Sequence, residues 1–152
     1  MTDSPIIQTI MPVEREGARA VARQKLVEGR HEIGLVFQSD RNGNSDIYIS
    51  SVDGTGLHRL TDHPADDFTP VWSPDGTRIL FQSNRTGREQ LFVINVDGTG
   101  LRQITDHPSN QGHPKWGPDG STIIFNSTRA DSTNDDVYEM AADGSDVRRL
   151  TS

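Results

Sequence analysis

The chain has no cysteine, few aromatic residues and no long apolar run. Without cysteine, these 152 residues form no disulfide, thiolate zinc site or cysteine nucleophile. Hydrophobic residues make up 32 % and aromatic residues 6 % of the chain, which favours short strands joined by polar turns. The chain has 15 Lys and Arg residues and 22 Asp and Glu residues. The resulting net charge of −7 argues against non-specific binding to nucleic acids or anionic membranes. No apolar run approaches membrane-spanning length.

One sequence pattern recurs three times. Its clearest marker is a phenylalanine followed four residues later by an arginine, repeated every 44 residues at Phe37–Arg41, Phe81–Arg85 and Phe125–Arg129. An Asp-Gly pair follows each marker, at 53–54, 97–98 and 143–144. A Trp-x-Pro-Asp-Gly segment precedes the last two markers, at 72–76 and 116–120. A period in the 40s with strand-like segments is typical of a β-propeller, in which each repeat forms one four-stranded blade.

The predicted fold class is therefore all-β: a partial β-propeller of about three four-stranded antiparallel blades. The predicted blades span 33–62, 69–106 and 113–152. Three blades are too few to close a ring, because propellers have about four to eight. The first repeat also lacks the Trp-x-Pro-Asp-Gly segment and hence its first strand, for which the segment around Ile6–Ile10 is a candidate, from the same chain or a second copy.

Residues 1–32 lie outside the repeat and are assigned to an N-terminal segment. Ala18, Ala22 and Leu26 are spaced four apart, and good helix formers surround them. This spacing predicts one short helix within Glu14–Glu28. The first five residues include an acid and no base, so the chain as written lacks the start of a secretory signal and its predicted location is cytoplasmic.

The repeat, with Trp72–Gly76 followed by the strand and arginine of residues 79–85, resembles the WD40-like PD40 repeat of the TolB family of β-propellers. The resemblance covers about residues 33–152. It implies a six-bladed ring, a periplasmic location and a non-enzymatic role in protein binding. PD40-like blades also form the non-catalytic propeller of some serine peptidases. The predicted function is a protein-binding scaffold and not an enzyme, and the alternative is a fragment or accessory propeller of a prolyl-oligopeptidase-like hydrolase.

The predicted binding surface follows from meander geometry. Tight Asp-Gly turns share one edge of the blades, and the longer connections share the other, where variable loops on a rigid scaffold carry function. The candidate partner-binding residues are the polar side chains of these longer connections: Asp40, Asn42, Asn44, His63, Asp66, Asp67, His107, Asn110, His113, Asp131 and Asp135. The predicted partner is a protein or peptide.

Each motif that suggests metal binding has a simpler structural explanation. The Asp40–Asp46 segment has side chains with oxygen atoms at alternating positions, as calcium loops do, but an Asn-Gly turn explains the same residues. His63 and His107 occupy the same repeat position before proline, which favours a repeated structural hydrogen bond over metal binding. The sequence contains no Gly-x-Ser-x-Gly motif, and we predict no cofactor, metal or catalytic residue. The open ends of three blades predict self-association, with two copies giving six blades, or the remainder of a longer propeller.

Overall fold

The computed structural model describes residues 20–27, 30–131 and 134–151. In these ranges the chain forms twelve strands and no helix, so none of the described elements is a membrane-spanning helix. The strands form three separate four-stranded antiparallel sheets, each a simple meander in chain order. The all-β fold of three propeller blades is confirmed.

The blades follow one another along the chain. Blade 1 consists of β1 (Ala20–Val27), β2 (Arg30–Ser39), β3 (Asp46–Ser51) and β4 (His58–Arg59). Blade 2 consists of β5 (Asp67–Trp72), β6 (Arg78–Ser83), β7 (Gln90–Asn95) and β8 (Arg102–Gln103). Blade 3 consists of β9 (Gln111–Trp116), β10 (Thr122–Asp131), β11 (Asn134–Ala141) and β12 (Arg148–Arg149).

The N-terminal helix prediction is wrong for residues 20–27. These residues form β1, which pairs with β2 from Ala20–Phe37 to Val27–Arg30 and supplies the first strand that the repeat pattern lacked. Local helix propensity is a weak preference, and hydrogen bonding to a neighbouring strand outweighs it here. Residues 14–19 and 28 of the predicted helix, and the candidate strand Ile6–Ile10, lie outside the described residues.

The tight turn between β5 and β6 shows why its residue types recur. The Ser73 N–H donates to Arg78 O at 2.8 Å, and Gly76 adopts a φ of 71°, which favours glycine. The Ser73 hydroxyl donates to Asp75 Oδ1 at 2.6 Å. Although burial alone would raise the pKa of Asp75, the hydrogen bonds from Ser73 and Thr77 hold it below its usual value.

The apolar core lies between the blades and not within any one of them. One cluster joins blade 1 to blade 2, and its buried members are Val36, Ile47, Leu60, Trp72, Ile79, Phe81, Phe92 and Ile94. The second joins blade 2 to blade 3, and its buried members are Leu80, Leu91, Val93, Ile104, Ile123, Phe125, Tyr138 and Met140. Trp72 is buried and Trp116 packs against the second cluster, so both tryptophans contribute to the core.

A layered motif of two rings and an arginine is repeated in each blade. The ring pairs Phe37–Tyr48, Phe81–Phe92 and Phe125–Tyr138 are stacked with centroids 5.8 Å apart. The guanidinium carbons of Arg41, Arg85 and Arg129 lie 4.6, 4.8 and 4.9 Å from the second ring of each pair. Such cation–π contacts stabilise by about 0.5–2 kcal/mol each. The recurring arginines are therefore part of the scaffold.

The arginine of blade 2 also forms a buried ion pair. Arg85 Nη2 donates to Asp67 Oδ2 at 2.7 Å, and the side chains are 11 % and 0 % exposed. In blade 3 the same position as Asp67 is Gln111, whose amide oxygen accepts from Arg129 Nη2. The acid is thus replaced by a neutral acceptor without loss of the contact.

We expect Phe81→Ala to lower the free energy of unfolding by about 3–5 kcal/mol, because its ring is fully enclosed between two blades. Chemical denaturation of the two chains measures the difference. An unchanged midpoint would show that the assigned strand register is wrong.

We expect Asp67→Ala to cost about 3–5 kcal/mol, because it leaves the charge of Arg85 buried without its carboxylate. Asp67→Gln should cost less, since Gln111 already accepts a hydrogen bond from Arg129 in blade 3. The matched control is Asp62→Ala, which removes a carboxylate that is 81 % exposed in its ion pair with Arg59 and should cost below about 1 kcal/mol. Equal losses for all three variants in urea denaturation would refute this assignment.

Candidate functional site

The meanders place two kinds of connection on opposite edges of the blades. The turn face carries the tight turns β5–β6, β7–β8 and their counterparts in the other blades. The loop face carries the β2–β3 and β6–β7 connections, at 40–45 and 84–89, and the blade-to-blade connections, at 60–66 and 104–110. The candidate binding residues of the sequence lie on or beside this loop face.

Aspartates of the turn face are held within their own turns. Asp53 Oδ1 accepts from the Thr55 N–H at 2.9 Å and from its hydroxyl at 2.7 Å. Asp97 and Asp143 repeat this arrangement with Thr99 and Ser145. The side-chain and backbone hydrogen bonds from Thr55 hold the pKa of Asp53 below its usual value. These carboxylates stabilise turns, which leaves the loop face as the candidate site.

The two loop histidines have the structural role that their repetition indicated. His63 Nδ1 accepts the Ala65 N–H at 3.0 Å, and His107 Nδ1 accepts the Ser109 N–H at 3.1 Å. Burial, together with the positive charge of Arg129, lowers the pKa of His107. A neutral imidazole suits this hydrogen bond, because Nδ1 is its acceptor.

The Asp40–Asp46 loop directs Asn42, Asn44 and Asp46 into the scaffold. The Asn42 amide donates to Tyr48 Oη at 2.8 Å, and the Asn44 amide donates to His63 O at 2.8 Å. Asp46 Oδ2 accepts from Arg59 Nη2 at 2.6 Å. Among the described residues, no three acidic or histidine side chains converge as a metal site. The loop is an Asn-Gly turn, with Gly43 at a φ of 106°.

A cleft of about 570 Å³ opens on the loop face between blades 1 and 2. Its lining combines three carboxylates with one aromatic ring and contains no Lys or Arg: Gln38, Asp40, Gly43, Asn44, Ser45, Asp66, Phe68, Thr69, Asn84 and Glu89. The half-buried ring of Phe68 supplies an apolar surface. An acidic cleft with an aromatic wall favours cationic groups by Coulomb attraction and cation–π contact.

A hydrogen-bonded clasp between blades forms the wall beside this cleft. Gln38 Oε1 of blade 1 accepts the N–H of Thr69 of blade 2 at 2.8 Å. Gln82 Oε1 accepts the corresponding N–H of His113 in blade 3 at 3.4 Å. Thr69 and His113 have φ angles of 51° and 50°, beside register shifts in β5 and in the pairing of β9 with β10. Gln82 Nε2 also donates to Glu89 Oε2 at 2.7 Å, which fixes one acid of the cleft.

The connector between blades 1 and 2 aligns the loops beside the cleft. Asp66 Oδ1 accepts the Ser45 N–H at 2.9 Å, and the Asp66 N–H donates to Asn84 Oδ1 at 3.0 Å. Asn110 Oδ1 repeats the first contact by accepting the Glu89 N–H at 3.2 Å. These side chains couple loops of adjacent blades, so they shape the site even where they do not contact a ligand.

A second, smaller cavity of about 340 Å³ lies on the same face within blade 2. Its walls come from the β6–β7 loop and the following connector, including Arg88, Asp106 and His107. Basic and acidic side chains both line this cavity, so its lining does not favour a ligand of either charge. The larger cleft is the better-defined candidate.

The predicted residues separate into three groups. Asp40, Asn44 and Asp66 meet in the cleft, where Asn44 and Asp66 also make scaffold hydrogen bonds. Scaffold hydrogen bonds engage the side chains of Asn42, His63, Asp67, His107 and Asn110. His113 and Asp135 are exposed outside the cleft, and the side chain of Asp131 is not among those described.

Sequence reasoning missed much of the cleft lining. Gln38, Phe68 and Thr69 belong to strands, and Ser45, Asn84 and Glu89 are the end residues of loops. The recurrence of Gln38 as Gln82 was visible, but a recurring residue is read as scaffold. The one available signal was Glu89, an acid at a position that is Ser45 in the first repeat.

Comparison with known proteins agrees with this architecture. A protein TolB homolog from Chlorobium luteolum is 41 % identical over 58 residues, which are 36 % of this chain and 13 % of that protein. A protein named uncharacterized peptidase YuxL, from Bacillus subtilis, is 47 % identical over 47 residues, which are 30 % of this chain and 7 % of that protein. The chain thus spans a small part of the length of these relatives.

A solved structure assigned as TolB from Agrobacterium tumefaciens superposes with a TM-score of 0.69 and 26 % identity, covering 88 % of this chain and 61 % of that one. The family model described as TolB beta propeller domain, PD40, matches residues 31–101 and 86–152, which together span most of the chain. The chain belongs to the PD40 family of TolB-type β-propellers.

Proposed function

We propose that this chain is a non-enzymatic propeller scaffold that binds a protein or peptide partner through its loop face. The observation that carries the proposal is the acidic cleft between blades 1 and 2, with Asp40, Asp66 and Glu89 around the ring of Phe68. Membership of the TolB-type family supports a protein partner. The resemblance to TolB also supports a periplasmic location, which we include in the proposal.

The acidic and aromatic lining of the cleft favours basic side chains of a partner. A lysine or arginine side chain satisfies the carboxylates and can lie against Phe68, whereas an acidic segment is repelled. Asp40 is the most useful residue to change, because it is exposed at the rim. Asp66 and Asp67 are unsuitable, since their carboxylates accept scaffold hydrogen bonds from Ser45 and Arg85.

We expect peptides selected from a random displayed library to be enriched in Lys and Arg, and Asp40→Lys to weaken their binding by about tenfold or more. Binding should also weaken as ionic strength rises, because the contact is electrostatic. Surface plasmon resonance on the immobilised chain measures both effects.

The control is a variant of equal net charge on the turn face. Leu57→Lys with Leu101→Lys changes the charge by the same two units at side chains that are 51 % and 46 % exposed. This control should leave peptide binding unchanged. Loss of binding in the control together with full binding by Asp40→Lys would show that the turn face is the partner face.

A second candidate function is an accessory propeller of a hydrolase, and the match to the peptidase from Bacillus subtilis favours it. There the loop face would lie over a separate catalytic domain and control access to it. An open reading frame that continues into a Gly-x-Ser-x-Gly motif would favour this alternative.

We expect the chain alone to show no turnover of generic ester, peptide or phosphate substrates. The reason is that its recurring polar residues hold turns and blades together. Activity that co-purifies with the chain and disappears in the Asp40→Lys variant would contradict the non-enzymatic proposal. The Leu57→Lys/Leu101→Lys chain is the control for an impurity.

A further inference from the structure

The connector between blades 2 and 3, residues 104–110, is held by side chains on both sides of its turn. His107 Nδ1 accepts the Ser109 N–H at 3.1 Å. The Gln90 amide donates to His107 O at 2.8 Å and to Ser109 O at 3.1 Å. The Gln111 amide donates to Ser109 O at 2.7 Å. Amides therefore hold the carbonyls of this turn, and an imidazole holds one of its N–H groups.

The connector between blades 1 and 2, residues 60–66, contains the same turn. His63 Nδ1 accepts the Ala65 N–H at 3.0 Å. The Asn44 amide donates to His63 O at 2.8 Å and to Ala65 O at 3.0 Å. The two connectors reach one geometry with different amide donors, since Asn44 lies in a loop and Gln90 begins β7. The imidazole acceptor is the part that both copies share.

Among these contacts of residues 104–110, the one to His107 depends on a group that titrates near neutral pH. The amides of Gln90 and Gln111 do not ionise, whereas an imidazole ordinarily gains a proton at about pH 6.5. A protonated Nδ1 is a donor and no longer accepts the Ser109 N–H. Protonation would therefore free this N–H, while the contacts to the carbonyls persist.

Charged groups from three elements surround the His107 ring. Arg129 of β10 acts on it through its positive charge, and Arg88 of the β6–β7 loop and Asp106 of the connector line the same cavity. Burial, and then the charge of Arg129, lower the pKa of His107. The Gln111 amide, which accepts from Arg129 in place of an acid, brings no negative charge to this cation. The ring therefore stays neutral until the pH falls below the ordinary range of histidine.

The end of the connector joins this turn to the loop that borders the larger cleft. Asn110 Oδ1 accepts the Glu89 N–H at 3.2 Å, and the Gln111 N–H donates to Glu89 O at 2.8 Å. Glu89 is the last residue of the β6–β7 loop and lines the cleft. A change at Ser109 can therefore reach the backbone of an acidic cleft residue through the adjacent Asn110.

We propose that His107 is a pH-sensitive latch, which closes the connector between blades 2 and 3 at neutral pH and, on protonation, releases Ser109 and loosens the β6–β7 loop. Because the pKa of His107 is lowered in the folded chain, the unfolded chain takes up this proton more readily. The closed latch therefore stabilises the chain fully above about pH 6.5, and this contribution is lost as the pH falls further. The latch does not depend on the loop face binding a partner.

Hydrogen exchange at about pH 7.5 and about pH 5 tests the latch without any partner. We expect the protection factor of the Ser109 amide, with the intrinsic rate at each pH divided out, to fall by about fivefold on acidification, as for the loss of one hydrogen bond. A smaller fall in the same direction is expected for the Glu89 amide. NMR spectroscopy measures the two amides separately.

Four variants separate the imidazole from the rest of the turn. His107→Asn supplies an acceptor that does not titrate, because an Asn side chain can accept the N–H two residues further on. His107→Asp does the same, since its carboxylate ionises above about pH 3.9. Both should keep Ser109 equally protected at the two pH values, whereas His107→Leu should leave it weakly protected at both. His63→Asn, the matched control in the other connector, should keep the full pH response of Ser109.

The outcomes that contradict the latch are distinct. Equal protection of Ser109 at both pH values in the unmodified chain would overturn it, and so would an unmodified fall in His107→Asn or His107→Asp. Full protection in His107→Leu at neutral pH would show that Gln90 and Gln111 hold the turn without the imidazole. A response at Ser109 with none at Glu89 would refute the coupling to the β6–β7 loop.

Discussion

The structure depends on face-to-face packing of sheets that cannot bury their apolar faces alone. Blade 2 has apolar side chains on both faces, with Ile79 and Phe81 directed to blade 1 and Leu80 and Val93 to blade 3. Both apolar clusters therefore lie between blades. Stability in such an arrangement is approximately a sum over neighbouring contacts, so each further interface adds to it.

The polar residues that recur between blades hold the turns and the contacts between blades in place. The arginine over stacked rings, the Asp-Gly turns and the Gln clasp at Thr69 and His113 are local devices, and the repeat copies them. The loop face carries side chains that differ between blades. There Glu89 of blade 2 is equivalent to Ser45 of blade 1, and it adds a carboxylate to the cleft. This division separates the scaffold from the surface on which a partner would bind.

Much of the fold was predictable from the repeat, because Gly, Pro and Asp at fixed positions impose turns and short apolar runs between them favour strands covered on both faces. The three four-stranded antiparallel blades agree with the prediction. The segment 20–27 does not form the predicted helix. Ala22 and Leu26 have a spacing that suits a helix, but their pairing partners lie in β2. The cleft was only half predictable, since the candidates were chosen among polar loop residues, whereas Phe68 is apolar and Gln38 recurs as a scaffold residue does.

The sequence by itself determined the number of blades, the order of the strands in blades 2 and 3 and the edge on which the long connections lie, because these follow from short-range turn chemistry and a fixed period. Only the tertiary structure decided which polar side chains are engaged. Asp66 and Asp67 are neighbours in sequence, but one couples two loops at the cleft and the other is buried against Arg85. Their difference comes from strand alternation and from contacts with residues some 20 positions away, at Ser45 and Arg85.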